Sequence, residues 1–225
     1  MGRYFVGVDL GQSRDYTAIA VVERVELKGA WEAAVWAWRK EILLRLRFLE
    51  RVALGTPYPE VVERVVQVTR SAHLAGRCHL AVDGTGVGRP VVDLLRGARP
   101  GCPLMPAIIT GGGLETMDQG YYKVPKRDLI VGLQVLLQRR ELQIAGGLPE
   151  GEALLKEMAD IQVKVSLAGN EQFGAWREGT HDDLVLAVSL ACWNAGKIYP
   201  NPAQGKERWW TNGLEDAAVK LPGGN

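Results

Sequence analysis

The chain has 225 residues, a formal net charge of +1, a hydrophobic content of 47% and a charged content of 24%. These values are ordinary for a soluble globular protein with one substantial core, and they argue against a strongly basic nucleic-acid coat. The three cysteines, Cys78, Cys102 and Cys192, are widely spaced and form no CxxC pair. They favour reduced thiols over a disulfide framework or a zinc site.

Three kinds of targeting or nucleotide-binding signal are missing from the sequence. It has no signal peptide, no apolar run long enough to span a bilayer, and no GxxxxGK[ST] phosphate loop. We therefore expect a protein that is neither secreted nor bound to a membrane, and that is not a self-contained P-loop ATPase.

The N-terminal segment predicts a strand hairpin that carries acidic residues. Residues 4–10 form an apolar run rich in β-branched and aromatic residues, which predicts a buried strand. Asp9 lies inside this run, and a buried ionised carboxylate is costly unless a partner or a metal compensates it. Residues 11–13 predict a turn and 16–22 a paired second strand, with Asp15 beside the turn. Asp9 either has a functional role or only ends the strand and bonds to the turn backbone, and this segment leaves both open.

The next part of the chain predicts a long strand, a helix and a second buried strand. Residues 31–52 alternate apolar and charged side chains, although 41–51 also fit a short helix. Their basic residues indicate a solvated strand face or, alternatively, an edge that contacts DNA. A helix is predicted from residue 56 or 58 to near Gly76, and a strand over 78–83 ends on Asp83. The GTGVG that follows is not the dinucleotide fingerprint, and we interpret it as a tight turn before a helix.

The middle of the chain predicts a strand over 104–109 and then a flexible segment over 110–120 that orders on substrate. An amphipathic helix is predicted from Pro125, with Lys126 at the edge of its buried face. Exposure is the commoner fate of such a lysine, and an inward orientation is the alternative. A further helix over 150–161 and a hairpin of 163–167 with 172–176 are expected next.

The last predicted helix, residues 184–195, is apolar almost all round and is therefore expected to be buried. Thr180 and Asp183 have the spacing of a capping box, which explains an acid at this position by structure alone. A cap needs only one carboxylate, however, and Asp182 and Asp183 stand here in succession. The composition beyond residue 197 divides the chain into a folded domain, 1–197, and a flexible tail, 198–225.

The acidic positions Asp9, Asp83 and the Asp182–Asp183 pair share one description. Each lies at the end of a buried strand or at the start of a buried helix, and strand carboxyl ends meet at one edge of an α/β sheet. Clustered carboxylates take up protons or bind hard cations such as Mg²⁺ or Mn²⁺. Two such ions, about 3.5–4 Å apart, can align a water on a phosphodiester and stabilise the departing oxygen. No Ser/His/Asp or Cys/His set is evident, which fits a metal-activated water as nucleophile.

The order of elements resembles the ribonuclease H-like fold, an α/β fold with a central mixed sheet, antiparallel N-terminal strands and flanking helices. Four segments, GVDLGQSRDYTAIAVV, HLAVDGTGVGRPVVDLL, KVPKRDLIVGLQVLLQRRELQI and THDDLVLAVSLA, resemble the nuclease domain of the large terminase subunit of tailed bacteriophages. The resemblance covers most of residues 4–197. It implies an endonuclease, dependent on one or two Mg²⁺ or Mn²⁺ ions, that cuts double-stranded concatemeric viral DNA during genome packaging in the host cytoplasm.

The resemblance also assigns roles to single residues and implies partners. The family's catalytic acids fall on Asp9, Asp83, Asp182 and Asp183. Asp183 is implied as a direct metal ligand together with Asp9 and Asp83, and Asp15 as a secondary or mobile ligand. Lys126 is implied as a helper on the phosphate side, with Lys123 and Arg127 as further DNA contacts. The implied partners are DNA, a packaging ATPase domain outside this chain, the portal and the small terminase subunit.

Other functions stay open at this point. The VDLG segment also resembles the phosphate loop of actin-like and sugar-kinase-like phosphotransferases, but no second such loop is evident. A Holliday-junction resolvase shares the acidic set and differs in its substrate. A non-catalytic ribonuclease H-like binding module is the third alternative, although unused buried carboxylates would destabilise it.

Overall fold

The computed structural model describes residues 3–11, 15–34, 36–86, 88–165, 171–174 and 181–199. Its central element is an eight-stranded mixed sheet. The strands, in chain order, are β1 (Arg3–Asp9), β2 (Thr17–Glu32), β3 (Ala37–Val52), β4 (Cys78–Asp83), β5 (Leu104–Thr110), β6 (Thr116–Asp118), β7 (Tyr121–Pro125) and β8 (Leu142–Ile144). Across the sheet the order is β6-β7-β5-β4-β1-β2-β3-β8. β1, β4, β5 and β7 run parallel, and β2 and β3 follow β1 as an antiparallel meander.

Helices cover both faces of this sheet. Those in the described residues are α1 (Tyr58–Thr69), α2 (Gly88–Ala98), α3 (Lys126–Gln138), α4 (Gly151–Asp160) and α5 (Asp183–Ile198). Two further strands, β9 (Gln162–Val165) and β10 (Glu171–Gly174), form a separate antiparallel pair. Within the part of the chain that is described, no helix is long and apolar enough to cross a membrane.

The side chains of the central strands point alternately to the two faces of the sheet and so contribute to two apolar cores, one on each face. Phe5 of β1 belongs to a core that includes side chains of α3, α4 and α5, whereas its neighbours Val6 and Val8 belong to a core with α1 and α2. Successive side chains of a strand point to opposite faces, so a strand that is buried on both faces is apolar throughout. The N-terminal run has this composition because β1 lies in the middle of the sheet.

The register of β1 and β4 brings two acidic residues to one edge of the sheet. The strands are parallel with Val8 opposite Val82, so the residues that follow, Asp9 and Asp83, end neighbouring strands at the same edge. α5 starts at Asp183 and lies across β1, with the backbone of Ala187 and Ala191 close to Gly7. The fold thereby directs its last helix toward the edge where β1 and β4 end.

The predicted mixed sheet with antiparallel N-terminal strands is confirmed, and several local predictions are corrected. The helical alternative for 41–51 is wrong, because β3 pairs with β2 over this whole stretch. The segment 110–120 is not entirely a loop, since it contains β6, and neither β7 nor β8 was predicted. The first helix ends at Thr69, well before Gly76. The tail prediction for 198–225 stays a prediction, since residues 200–225 lie outside the described residues and α5 runs to Ile198.

We expect Gly7→Ala to destabilise the fold strongly, because the added Cβ would lie 2.0 Å from the carbonyl oxygen of Ala187 and 2.6 Å from the nitrogen of Ala191. Forcing apart a packed strand and helix costs about 1–3 kcal/mol or more. Gly97→Ala is the matched control, because nothing lies within 4 Å of its added Cβ on α2. That variant should gain up to about 1 kcal/mol. Urea unfolding measures both, and equal effects would contradict the close packing of α5 on β1.

Candidate metal centre

The centre of the site is a pair of buried carboxyl groups. Asp9 and Asp83 are 7% and 9% exposed, and their side chains share a hydrogen bond. Asp83 Oδ1 also accepts hydrogen bonds from the backbone N–H of Thr85 at 2.9 Å and from its Oγ1 at 2.5 Å. The turn after β4 therefore fixes Asp83, and the glycine-rich segment at this point supplies a turn, as the sequence predicts.

Burial and crowding control the protonation of Asp9. Desolvation raises its pKa well above the usual value for a carboxyl group, and the charges of Asp83, Asp183 and Asp182 add to the effect, while Lys126 opposes it. Burial also raises the pKa of Asp83, and the hydrogen bonds from Thr85 oppose that shift. Two carboxyl groups can share a hydrogen bond only if one of them is protonated. The pair is thus a proton-sharing site that a cation can take over.

Asp183 supplies a third carboxyl group from the first turn of α5. It is 5% exposed, and burial, followed by the charges of Glu157 and Asp182, raises its pKa to about 7. Among the described residues its Oδ2 is buried without a hydrogen-bond partner, and Nδ1 of His181 lies 3.7 Å from it. A buried carboxylate oxygen without a partner is unfavourable, so this atom is suited to receive a cation.

Asp182 and Lys126 form an ion pair beside these acids. Nζ of Lys126 lies 2.6 Å from Oδ2 of Asp182, and the two side chains are 28% and 17% exposed. The inward orientation of Lys126, the less common alternative for such a lysine, is therefore the one that the structure adopts. Asp182 is the N-cap residue of α5 but makes no side-chain capping bond. The predicted capping box cannot be compared, because Thr180 lies outside the described residues.

The remaining predicted site residues surround this cluster less closely. Asp15 is exposed, and its charge acts on Asp183, which places it near the cluster. Lys123 donates a hydrogen bond to Asp118 at 2.8 Å on the outer side of β7. Arg127 follows Lys126 at the start of α3, and its charge acts on Asp128.

The acid cluster fits a hard divalent cation, although it is not a complete ligand cage. Among the described residues, no group of three or more His, Cys, Asp or Glu side chains is arranged to hold an ion together. Mg²⁺, however, is usually bound by one or two carboxylates and completes its shell with water and phosphate oxygens. The Asp9–Asp83 pair and the unpartnered Oδ2 of Asp183 provide such a donor set.

Two residues near the cluster, Glu157 and Arg51, were not identified from the sequence as part of a site. Glu157 on α4 is 5% exposed, forms an ion pair with Arg51, and accepts a hydrogen bond from the N–H of Val185 at 3.0 Å. Its position three residues after the buried Leu154 places an acid on the buried face of α4, which was the available signal. The alternation of β3 instead suggested that Arg51 belongs to a solvated face.

The fold is similar to that of solved nuclease domains of large terminases. The large terminase nuclease from thermophilic phage G20c with bound magnesium matches with a TM-score of 0.57 at 21% identity, covering 85% of this chain and 80% of that chain. The large terminase nuclease domain from Thermus phage P74-26 matches with a TM-score of 0.53 at 19% identity, covering 84% of this chain and 78% of that chain. A variant of the large terminase nuclease domain of bacterial virus Sf6 with manganese matches with a TM-score of 0.54 at 14% identity, covering 84% of this chain and 88% of that chain.

These matches establish the fold, and the predicted resemblance to the large terminase nuclease domain is confirmed at that level. No protein-family model and no curated protein sequence matches the chain.

The raised pKa of Asp183, about 7, predicts that the metal-free protein loses stability as the pH rises. Above the ordinary carboxyl pKa, near 4, the folded state binds more protons than the unfolded state. The stabilisation is therefore complete below about pH 4 and is lost on approach to about pH 7. Asp183→Asn removes this dependence, so in EDTA it should raise Tm at pH 8 by a few degrees relative to wild type, at roughly 2–4 °C per kcal/mol.

The gain in Tm should vanish near pH 4, where the side chain at position 183 is uncharged in the folded state of both the wild type and the variant. Asp93→Asn is the control, because the side chain of Asp93 is 70% exposed. A Tm difference between Asp183→Asn and wild type that is the same at both pH values would contradict the assignment of a buried, proton-binding Asp183.

Proposed function

We propose that this chain is the nuclease domain of a large terminase, a Mg²⁺- or Mn²⁺-dependent endonuclease that cuts double-stranded concatemeric DNA during viral genome packaging. The proposal depends on one observation, the convergence of buried carboxyl groups from β1, β4 and α5 at the carboxyl edge of the sheet. Buried acids without counter-charge are unfavourable, so their collection favours a bound cation. The shared fold with terminase nuclease domains supports the choice of reaction.

In this proposal Asp9, Asp83 and Asp183 hold the metal, and Asp15 contributes to it from the exposed side. When bound, the metal supplies a Lewis acid for the phosphodiester and lowers the pKa of a bound water that becomes the nucleophile. The Asp9–Asp83 pair releases the proton that it shares, so metal affinity rises with pH. Asp182 holds the ammonium group of Lys126 at the rim of the site, where it can neutralise phosphate charge.

The DNA contacts of the proposal lie where β7 joins α3. Lys123, Lys126 and Arg127 belong to one short segment, and β7 runs parallel to β1, so its end points to the same edge of the sheet. Lysine and arginine bind phosphates without reading sequence, which suits cutting at many sites. A packaging ATPase domain, the portal and the small terminase subunit, all in the host cytoplasm, are the partners that this function requires.

The proposed activity is tested by cleavage of supercoiled plasmid with Mn²⁺ or Mg²⁺. Wild type should cut, and EDTA should stop the reaction. Asp9→Asn and Asp83→Asn should each lower the rate at least about 100-fold, because a lost ligand removes the metal's Lewis acidity. Asp93→Asn, an exposed acid on α2, is the control and should cut normally.

Near-native circular dichroism of the inactive variants would show that the lost cutting is not a loss of fold. Wild-type protein that fails to cut either plasmid or a four-way junction would refute the enzyme proposal and favour a non-catalytic binding module. Preference for the junction would instead favour a resolvase.

The proposed DNA contacts are tested by the salt dependence of binding, with Ca²⁺ added as a cation that does not support cutting. Each phosphate contact contributes about 0.9 to the slope of log K against log salt. Lys123→Ala and Arg127→Ala should each reduce that slope by up to about 1 and weaken binding equally on unrelated sequences. Arg96→Ala is the control, because Arg96 lies in the last turn of α2, whereas the start of that helix, at Gly88, is the part that borders Asp83. Unchanged slopes in both variants would place the DNA elsewhere.

A further inference from the structure

We propose that Glu157 is a positioning residue which, held by Arg51, fixes the first turn of α5 and so directs Asp183 toward Asp9 and Asp83. This inference rests on the proposed function, because it concerns the geometry of the metal ligands. Under this inference α4 does more than cover the sheet, because its Glu157 holds the start of α5 in place.

The start of α5 is capped from outside the helix. The first N–H groups of a helix have no partner within it, and a side chain at the N-cap position commonly satisfies one of them. Asp182 occupies that position but makes no side-chain capping bond. Instead, Oε2 of Glu157 accepts the hydrogen bond of the Val185 N–H at 3.0 Å. A carboxylate at this place also interacts favourably with the helix dipole.

This arrangement leaves both acids at the start of α5 available for other contacts. Asp182 pairs with Lys126 at 2.6 Å, and Oδ2 of Asp183 is buried with no hydrogen-bond partner in the part of the chain that the structure describes. If either acid capped the helix, its carboxylate would turn back toward the helix backbone. Glu157 therefore separates capping from the functions that we propose for Asp182 and Asp183.

Arg51 connects this cap to the sheet row that contains Asp9. Asp9 pairs with Ala18 on β2, and Ala18 pairs with Arg51 on β3, so the three residues form one row across neighbouring strands. The side chain of Arg51 is 19% exposed, forms an ion pair with Glu157, and lies 5.2 Å from the ring of Tyr16. Removing one member of a buried ion pair leaves the other uncompensated, so both residues are needed. The start of α5 is thus tied to the row in which Asp9 lies.

The test measures metal binding and helix dynamics without cleavage. Titration calorimetry of the EDTA-treated, dialysed chain with Mn²⁺, in the absence of DNA, gives the dissociation constant. Supporting residues outside the ligand shell typically change metal affinity by about 10–100-fold. Glu157→Ala should therefore weaken Mn²⁺ binding at least tenfold. Glu157→Gln has one amide oxygen that can still accept the Val185 N–H but loses the ion pair with Arg51, so it should lose less affinity than Glu157→Ala. Glu152→Gln, on the exposed side of α4, should stay within threefold of wild type.

Hydrogen exchange of the metal-free protein provides a second readout. The first turn of α5 should exchange at least tenfold faster in Glu157→Ala than in wild type, and Glu157→Gln should exchange more slowly than Glu157→Ala because it can keep the bond to the Val185 N–H. A folded Glu157→Ala variant with wild-type Mn²⁺ affinity and wild-type exchange would overturn the inference. Equal losses in Glu157→Gln and Glu157→Ala would also overturn it, because the hydrogen bond would then be irrelevant.

Should Glu157→Ala fail to fold, Arg51→Met replaces it. That variant should weaken Mn²⁺ binding at least threefold. Arg45→Met should not, because Arg45 donates its hydrogen bond to Gln143 on the exposed side of β3. Wild-type affinity in Arg51→Met would overturn the inference. If the wild type neither binds Mn²⁺ nor cuts DNA, the proposed function fails, and the exchange rates alone decide the role of Glu157. If wild type and Glu157→Ala bind and cut equally well, only the positioning role fails.

Discussion

The desolvation of carboxyl groups at the carboxyl edge of the sheet is the constraint on which the rest of this structure depends. Asp9, Asp83 and Asp183 are each less than 10% exposed, and burial is the largest cause of their raised pKa values. Without a cation, burial favours the protonated form of these carboxyl groups, and a hydrogen bond between the Asp9 and Asp83 side chains requires one proton. Burial of apolar side chains in the two cores on either side of the sheet stabilises the fold and offsets the unfavourable free energy of burying these carboxyl groups.

The packing of α5 makes the cluster possible. Because Gly7 has no side chain, the helix backbone approaches β1 so closely that any Cβ there would overlap it. The residues of α5 from Asp183 to Ala195 are all buried, since the helix lies between the sheet and both α3 and α4. A helix held on every side has little freedom to shift, so the position of its first residues is set by its packing and by the contact that Glu157 makes there.

The sequence allowed prediction of the parts of the site that follow from strand order, and it did not allow prediction of the parts that depend on distant side chains. Asp9 and Asp83 end apolar runs, and the parallel pairing of such runs places their ends together. Arg51 and Glu157 are 106 residues apart, and neither the alternation of β3 nor the amphipathic pattern of α4 indicates that they pair. β6 and β8 have three residues each, which is too short for a period-two pattern to be recognised.

Under the proposed function, the charge distribution makes the binding of metal and the binding of DNA depend on each other. Much of the basic charge on β2 and β3 is neutralised locally, as Lys40 pairs with Glu26, Arg47 with Glu23 and Arg39 with Glu41. The proposed DNA contacts lie at the edge that holds the acids, and those acids repel phosphate when they are ionised and empty. A divalent ion reverses the local sign of charge. Each ligand then lowers the electrostatic cost of binding the other, so the site gains affinity for DNA only as it gains its metal.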